Sequence, residues 1–297
     1  MKNILFKGSG VALVTPMDTY GNVNYSVLGE LIEFQIQNKT DAIIICGTTG
    51  ESATLSEEEQ YKIIKYTVER VKNRIPVIAG TGSNNTISAV KKSKTAQDLG
   101  ADGVLVVTPY YNKTSQRGII EHYDLISKNI DIPIIVYNVP SRTGCCINPE
   151  TYVELAKRPN IVAVKEASGN ISAVAKTVAL CKDELMVYSG NDDQIIPVLS
   201  LGGIGVISVI ANICPEETHN IVAEYLRGNT SQSRELQLKF INLIEALFSD
   251  VNPIPVKEAM NLIGFPCGKC RLPLISMEEK LQEKLKICMR ENSLLDY

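Results

Sequence analysis

Eight short runs rich in β-branched residues, each followed by a helix-length amphipathic segment, predict a parallel α/β fold closed into a (β/α)8 TIM barrel. Chain length points the same way, because 297 residues suit one such barrel with an appended segment. A third observation bounds the barrel: after Gly228 the alternation stops and only helical patterns remain. The chain therefore divides into a barrel over 1–228 and a C-terminal helical extension over 229–297.

The predicted strands are GVALV at 10–14, AIIIC at 42–46, PVIA at 76–79, GVLVV at 103–107, PIIVY at 133–137, IVAVK at 161–165, MVYS at 186–189 and GVISV at 205–209. The helix-length segments between and after them span 25–38, 56–72, 86–99, 115–129, 149–156, 171–181, 192–201 and 215–226. Ser56 followed by Glu59 is a capping box, and Gly100 and Gly228 stand where a helix ends on a left-handed residue. In the extension, 232–248, 255–263 and 278–290 read as helices. Pro253 and Pro255 interrupt the chain, Pro255 falling in a first helical turn, where its missing N–H costs nothing.

Composition narrows the function. The chain is 44% hydrophobic and 21% charged with a net charge of −3, and it has no long run of one sign, which argues against a nucleic-acid surface or a disordered tail. Small molecules are the expected partners. Lys2, Asn3 and Lys7 break the N-terminal apolar residues, and the longest near-apolar stretch, 201–210, is too short to span a bilayer. A cytoplasmic protein with no membrane partner is expected. Eight scattered cysteines read as free thiols, mostly in or near the core, and the lone CxxC pair, Cys267 and Cys270, supplies half a zinc site at best. With only His122 and His219, both in helical stretches, there is little material for a serine–histidine triad or a histidine-rich metal centre. No metal is expected. Acid–base chemistry falls to tyrosine, lysine or carboxylates.

In a barrel of this type the reactive groups belong at the carboxyl ends of the strands. The second strand runs into Gly47-Thr48-Thr49-Gly50-Glu51, the fourth into Thr108-Pro109-Tyr110-Tyr111, the fifth into Tyr137-Asn138-Val139-Pro140-Ser141-Arg142-Thr143-Gly144, and the sixth ends in Lys165-Glu166. Strand alternation puts Lys165 on the side of Ile161 and Ala163, and Thr49 on the side of Ile43, Ile45 and Gly47. Thr49, Tyr137 and Lys165 then meet at the mouth. Each residue also has an ordinary reading: a snorkelling lysine, a core tyrosine, turn-forming threonines, a solvated arginine. The glycines of 47–50 lack the lysine that follows a phosphate-binding loop, so loop tightness suffices to explain them.

GTTGE at 47–51, TPYY at 108–111, YNVPSRTG at 137–144 and VKEASGN at 164–170 together resemble the dihydrodipicolinate synthase family of pyruvate-dependent class I aldolases. The similarity runs from about Lys7 through NPIPVK at 252–257 to RLPL at 271–274. It implies condensation of pyruvate with L-aspartate-4-semialdehyde, the first committed step of diaminopimelate and lysine biosynthesis. Lys165 would form a covalent imine with pyruvate, with no separate cofactor. The resemblance assigns proton transfer to Tyr137, relayed through Thr49 and Tyr111 with Thr48 in support, and binding of the semialdehyde carboxylate to Arg142. Thr49 matches a contact to the pyruvate carboxylate and Ile207 a backbone carbonyl near it. The family pattern implies a homotetramer of tight dimers in which Tyr111 serves a neighbouring subunit.

Arg142 and the second threonine of GTTGE distinguish this reading from N-acetylneuraminate lyase or a keto-deoxy-sugar-acid aldolase, which would share Lys165 and Tyr137. The complete set also argues against an inactive barrel serving as sensor or scaffold. In relatives inhibited by lysine, the inhibitor pocket lies at the dimer interface; Ser52, Ala53, Asn84 and Tyr110 match it, but Ser88 stands where those relatives have glutamate, and Glu57 and Gln60 where they have histidines. A serine cannot pair with an ammonium, so feedback by lysine is expected to be absent or weak.

Overall fold

The computed structural model describes residue 2 and residues 4–296; Met1, Asn3 and Tyr297, which fall within the predicted divisions 1–228 and 229–297, lie outside the described residues. Eight parallel strands close in sequence order into a barrel: β1 (Gly8–Ala12), β2 (Ala42–Ile45), β3 (Val77–Gly80), β4 (Gly103–Val107), β5 (Ile134–Asn138), β6 (Ile161–Glu166), β7 (Met186–Ser189) and β8 (Gly205–Ser208). The helices are α1 (Tyr25–Gln37), α2 (Glu57–Val71), α3 (Thr86–Asp98), α4 (Gln116–Ser127), α5 (Pro140–Thr143), α6 (Pro149–Ala156), α7 (Ile171–Cys181), α8 (Ile195–Ser200) and α9 (Pro215–Leu226), followed by α10 (Thr230–Lys239), α11 (Ile241–Leu247), α12 (Ile254–Leu262) and α13 (Glu279–Glu291). The (β/α)8 barrel and its C-terminal helices are therefore present as expected.

Local signals act as their chemistry requires. Ser56 and Glu59 form the reciprocal capping box of α2, and Gly100 and Gly228 have φ of +89° and +91°. Closure brings β8 against β1 so tightly that a Cβ on Gly205 would lie 2.0 Å from the Gly8 carbonyl oxygen, a contact no side chain tolerates. Phe6 stacks on Tyr188 with ring centroids 4.5 Å apart, and the Tyr188 hydroxyl donates to the Phe6 carbonyl at 2.6 Å, filling the barrel toward its amino end.

Several boundaries differ from expectation. The first strand sits two residues earlier than predicted; beyond it the Leu13 N–H still reaches the Ile44 carbonyl at 3.0 Å, but the Val14 N–H turns to Asn212 Oδ1 at 3.1 Å. The predicted helix at 232–248 breaks at Phe240 into α10 and α11, and that at 192–201 is a 3-10 turn followed by α8. The short helix α5 begins on Pro140 and was not anticipated from YNVPSRTG.

The faces of two strands also differ. Ala42 and Ile44 point into the barrel, where they pack with Ala12, Ile78 and Leu105, while Ile43 and Ile45 face the helices. Thr49 does not inherit the inner face by alternation: Cys46, at φ +55°, turns the chain and ends the strand first. On β6, register slips between Ile134↔Ile161 and Ile135↔Ala163, so Val162 is an extra residue. Ile161 consequently packs in the outer layer while Ala163 lies in the inner one, and beyond the bulge regular pairing delivers Lys165 to the mouth. No helix among the described residues is long and apolar enough to cross a membrane.

Candidate active site

Lys165 is the penultimate residue of β6, paired in register with Tyr137 of β5 on one side and Tyr188 of β7 on the other. It is 5% exposed, and its Nζ lies 4.6 Å from the centroid of the Tyr137 ring. Burial disfavours the ammonium and brings the pKa down to about 8; the Asp192 carboxylate pulls it up and the Arg142 guanidinium pushes it down. Tyr137 is also buried, and burial raises its phenol above its ordinary value, with the Arg142 charge and the Thr48 hydroxyl acting in the opposite direction.

A cavity of about 200 Å3 opens over this pair, lined by Thr48, Thr49, Tyr137, Arg142 and Lys165 among others. The extension completes it: Phe248, just after α11, and Asn252, just before α12, form part of its wall. The Thr49 hydroxyl accepts a hydrogen bond from Asn252 Nδ2 at 3.0 Å. Arg142, at the end of α5, donates from Nη2 to the Asn252 carbonyl at 3.4 Å. It also lines an adjoining groove of about 450 Å3, so it stands where the cavity meets the outside.

Two expected members do not show a side chain in the cavity of one chain. Tyr111 is 90% exposed, has φ +67° and does not line the cavity, so one chain does not assemble the expected series Tyr137, Thr49 and Tyr111. Ile207, expected to contribute its backbone carbonyl, is fully buried with its side chain in the inner barrel layer, and Val209, two residues on, lines the cavity. The residues matching the inhibitor pocket, expected between subunits, fall in part on that groove. Ser52, Ala53 and Tyr110 line the groove with Gln60, whereas Asn84 and Ser88 do not. Glu57 is held by Lys91 at 2.6 Å.

Sequence reasoning missed three buried polar groups around the mouth. Asp192 is 2% exposed, and its Oδ2 accepts the N–H groups of Val209 and Ile210 at 3.0 and 2.9 Å, fixing the chain beyond β8. Burial raises its pKa. Glu166 follows Lys165 and accepts from Asn138 Nδ2 at 3.0 Å, the Tyr152 hydroxyl at 2.9 Å and the Ser168 N–H at 2.8 Å. This pins Asn138 and Glu166, the pair next to Tyr137 and Lys165, on the adjacent side of the same two strands. Asn252 is the third, and its place in NPIPVK was the available signal. No periodicity marks Asp192 or Glu166, because their partners are distant in sequence.

The histidines lie elsewhere: His122 Nδ1 meets Thr86 Oγ1 at 2.9 Å, and His219 Nδ1 meets Asp41 Oδ2 at 2.8 Å beside the start of β2. All eight cysteines are free, six of them buried. Burial pushes the Cys267 and Cys270 thiols up to about 12, away from reactive thiolates.

A closed parallel barrel holds a buried lysine and tyrosine side by side at its carboxyl mouth, the place where enzymes of the barrel class carry their reacting groups. The chain belongs to the dihydrodipicolinate synthetase family, which it matches over residues 5–292, and it is a lyase. It is 59% identical over 293 residues to a 4-hydroxy-tetrahydrodipicolinate synthase of Caldicellulosiruptor bescii, covering 99% of this chain and 97% of that one. Among solved structures, it superposes with TM-score 0.96 on a chain described as the first monomeric dihydrodipicolinate synthase variant, at 44% identity and 98% coverage of each. A dihydrodipicolinate synthase from Cyanidioschyzon merolae with lysine bound gives TM-score 0.96 at 40% identity, covering 99% of this chain and 100% of that one.

Proposed function

We propose that this enzyme condenses pyruvate with L-aspartate-4-semialdehyde to give 4-hydroxy-tetrahydrodipicolinate, in diaminopimelate and lysine biosynthesis, through a Schiff base on Lys165. The observation that carries the mechanism is the buried Lys165 amine beside Tyr137. With a pKa of about 8, roughly a tenth of the amines are neutral at pH 7. At an ordinary lysine value the fraction would be roughly one in three thousand. The neutral amine attacks the keto carbon, and water leaves as the imine forms. The pyruvate methyl then loses a proton, and the resulting enamine carbon bonds to the aldehyde carbon of the second substrate, whose oxygen takes up a proton. The amino group of that substrate closes on the former keto carbon and releases Lys165.

Tyr137 supplies and accepts these protons, with Thr48 and Thr49 beside it in the cavity wall. Thr49 also meets the pyruvate carboxylate. Arg142, where the cavity joins the groove, receives the semialdehyde carboxylate on its planar fork. The Ile207 carbonyl serves from the chain just below the mouth. Neither a metal nor a separate cofactor is needed. The exposure of Tyr111 supports its service to another subunit within a tight dimer, two of which form a homotetramer in the cytoplasm. A coupled assay offering pyruvate with either aspartate-semialdehyde or a sugar-derived aldehyde tests the substrate assignment. Turnover with the semialdehyde is expected; turnover confined to the sugar aldehyde would place the enzyme with the neuraminate-lyase type instead.

A further inference from the structure

Glu51 closes the loop that carries Thr48 and Thr49, and it does so at φ +56°, a backbone conformation unusual for glutamate. Its side chain is 0% exposed and that of its partner Lys257 is 2% exposed, with Oε1 and Nζ 2.7 Å apart. Every other ion pair among the described residues is at least partly open to solvent. The buried carboxylate is fully engaged, because Oε2 accepts the Arg271 N–H at 2.9 Å. Lys257 Nζ donates also to the Lys269 carbonyl at 2.9 Å. One pair thus joins three segments distant in sequence: the loop after β2, helix α12, and the strap after that helix.

Such a pair adds little net stability over apolar residues of the same shape, since desolvating two charges offsets most of their attraction. Its value lies in geometry, and a path to the mouth is visible. Helix α12 begins directly after Asn252 and Pro253, and its first turn carries the Lys257 N–H onto the Pro253 carbonyl at 3.0 Å. Asn252 in turn donates to Thr49 Oγ1 and accepts from Arg142. The Thr49 loop is therefore held twice, by α12 through Glu51 and by the residues leading into that helix through Asn252.

We propose that Glu51 and Lys257 are a positioning pair for the reaction, locking the loop after β2 to α12 so that Asn252 keeps the Thr49 hydroxyl and the Arg142 guanidinium in place for substrate. This rests on the pyruvate reaction proposed above. Neither residue touches the cavity's reacting groups; both act through Asn252 and Thr49.

The test separates position from stability. Lys257→Met leaves a buried carboxylate unpaired and lowers the apparent Tm, whereas the paired variant Glu51→Gln, Lys257→Met removes both charges and returns the Tm toward that of the parent. In the paired variant the KM for pyruvate is expected to remain raised by roughly tenfold, the effect of a displaced contact on a bound substrate. Loss of folded protein alone would reduce apparent kcat and leave KM unchanged. Asn252→Ala introduces no buried charge and is expected to raise the same KM. A paired variant with recovered Tm and the parent KM would overturn the proposal. If the paired variant does not fold, Asn252→Ala decides, and an unchanged KM there overturns it equally. The parent enzyme serves as the control for the reaction itself: if it forms no borohydride-trapped pyruvyl adduct, the proposed function fails, whereas normal trapping in the parent with unchanged KM in the variants defeats only the positioning role.

Discussion

The surroundings of Lys165 favour its neutral, nucleophilic form. Burial lowers its pKa, and the one carboxylate that opposes this, Asp192, is occupied in holding the N–H groups of Val209 and Ile210. In Asp192→Asn the amide oxygen still accepts those N–H groups, while the charge that favours the ammonium is lost. The pKa of Lys165 then falls below about 8. The rate of imine formation follows the neutral amine, rising with pH and levelling above the pKa, so its midpoint is expected to move roughly half a unit or more toward acid. A midpoint that stays or moves upward would exclude Asp192 as the opposing charge. Tyr137→Phe keeps the ring beside Lys165 and removes the hydroxyl; turnover is expected to drop by roughly 100-fold or more with the apparent Tm little changed. Near-normal turnover would remove Tyr137 from proton transfer. Lys165, Tyr137 and Thr49 were legible in sequence because each lies near or just beyond the end of a strand, whereas Thr48 and Arg142 were singled out by the family resemblance. Asp192 and Glu166 were not, since their burial depends on backbone groups and side chains brought close only by closure of the barrel.

At the scale of elements, alternation identified the eight strands but misassigned two of their faces. A period of two cannot register the extra residue Val162 or the turn at Cys46, and both lie upstream of site residues. Lys165 reaches the mouth in spite of the bulge because regular pairing resumes at Ala163. The same limitation hid α5, a helix of four residues that carries Arg142 out to the junction of cavity and groove. Helices α2 and α3 bear on regulation. The groove retains Ser52, Ala53 and Tyr110, but Ser88 offers no charge and the Glu57 carboxylate is already paired with Lys91 across the two helices. Without a free carboxylate for the inhibitor's ammonium, binding is expected to weaken by roughly 30-fold or more. Titrating lysine into the coupled assay should therefore give little inhibition below millimolar concentration. Clear sub-millimolar inhibition would mean that another anion faces the groove.

At the scale of the whole molecule, the extension is part of the site: Phe248 and Asn252 close the cavity that the barrel strands floor. Sequence alone showed helices there but not that they reach the mouth, because the contacts span about 200 positions, as in Asn252 to Thr49. Acid stability is set partly far from the site. His122 is buried with Nε2 unpartnered, and burial lowers its pKa from 6.5 to about 4. Between those values the unfolded chain binds a proton that the folded chain refuses, so stability falls as pH drops from about 6.5 and the loss levels off below about 4. The full effect is on the order of 3 kcal/mol. His122→Gln is expected to shrink the fall in apparent Tm between neutral and mildly acidic pH, and an unchanged fall would assign that loss to other groups. The central claim is that one amine, Lys165, carries the substrate. Intact-mass and peptide mass spectrometry after borohydride reduction with pyruvate tests it most directly. One reduced pyruvyl group per chain, located on Lys165 and lost in Lys165→Arg, is the result expected; an adduct on another lysine, or none, would contradict it.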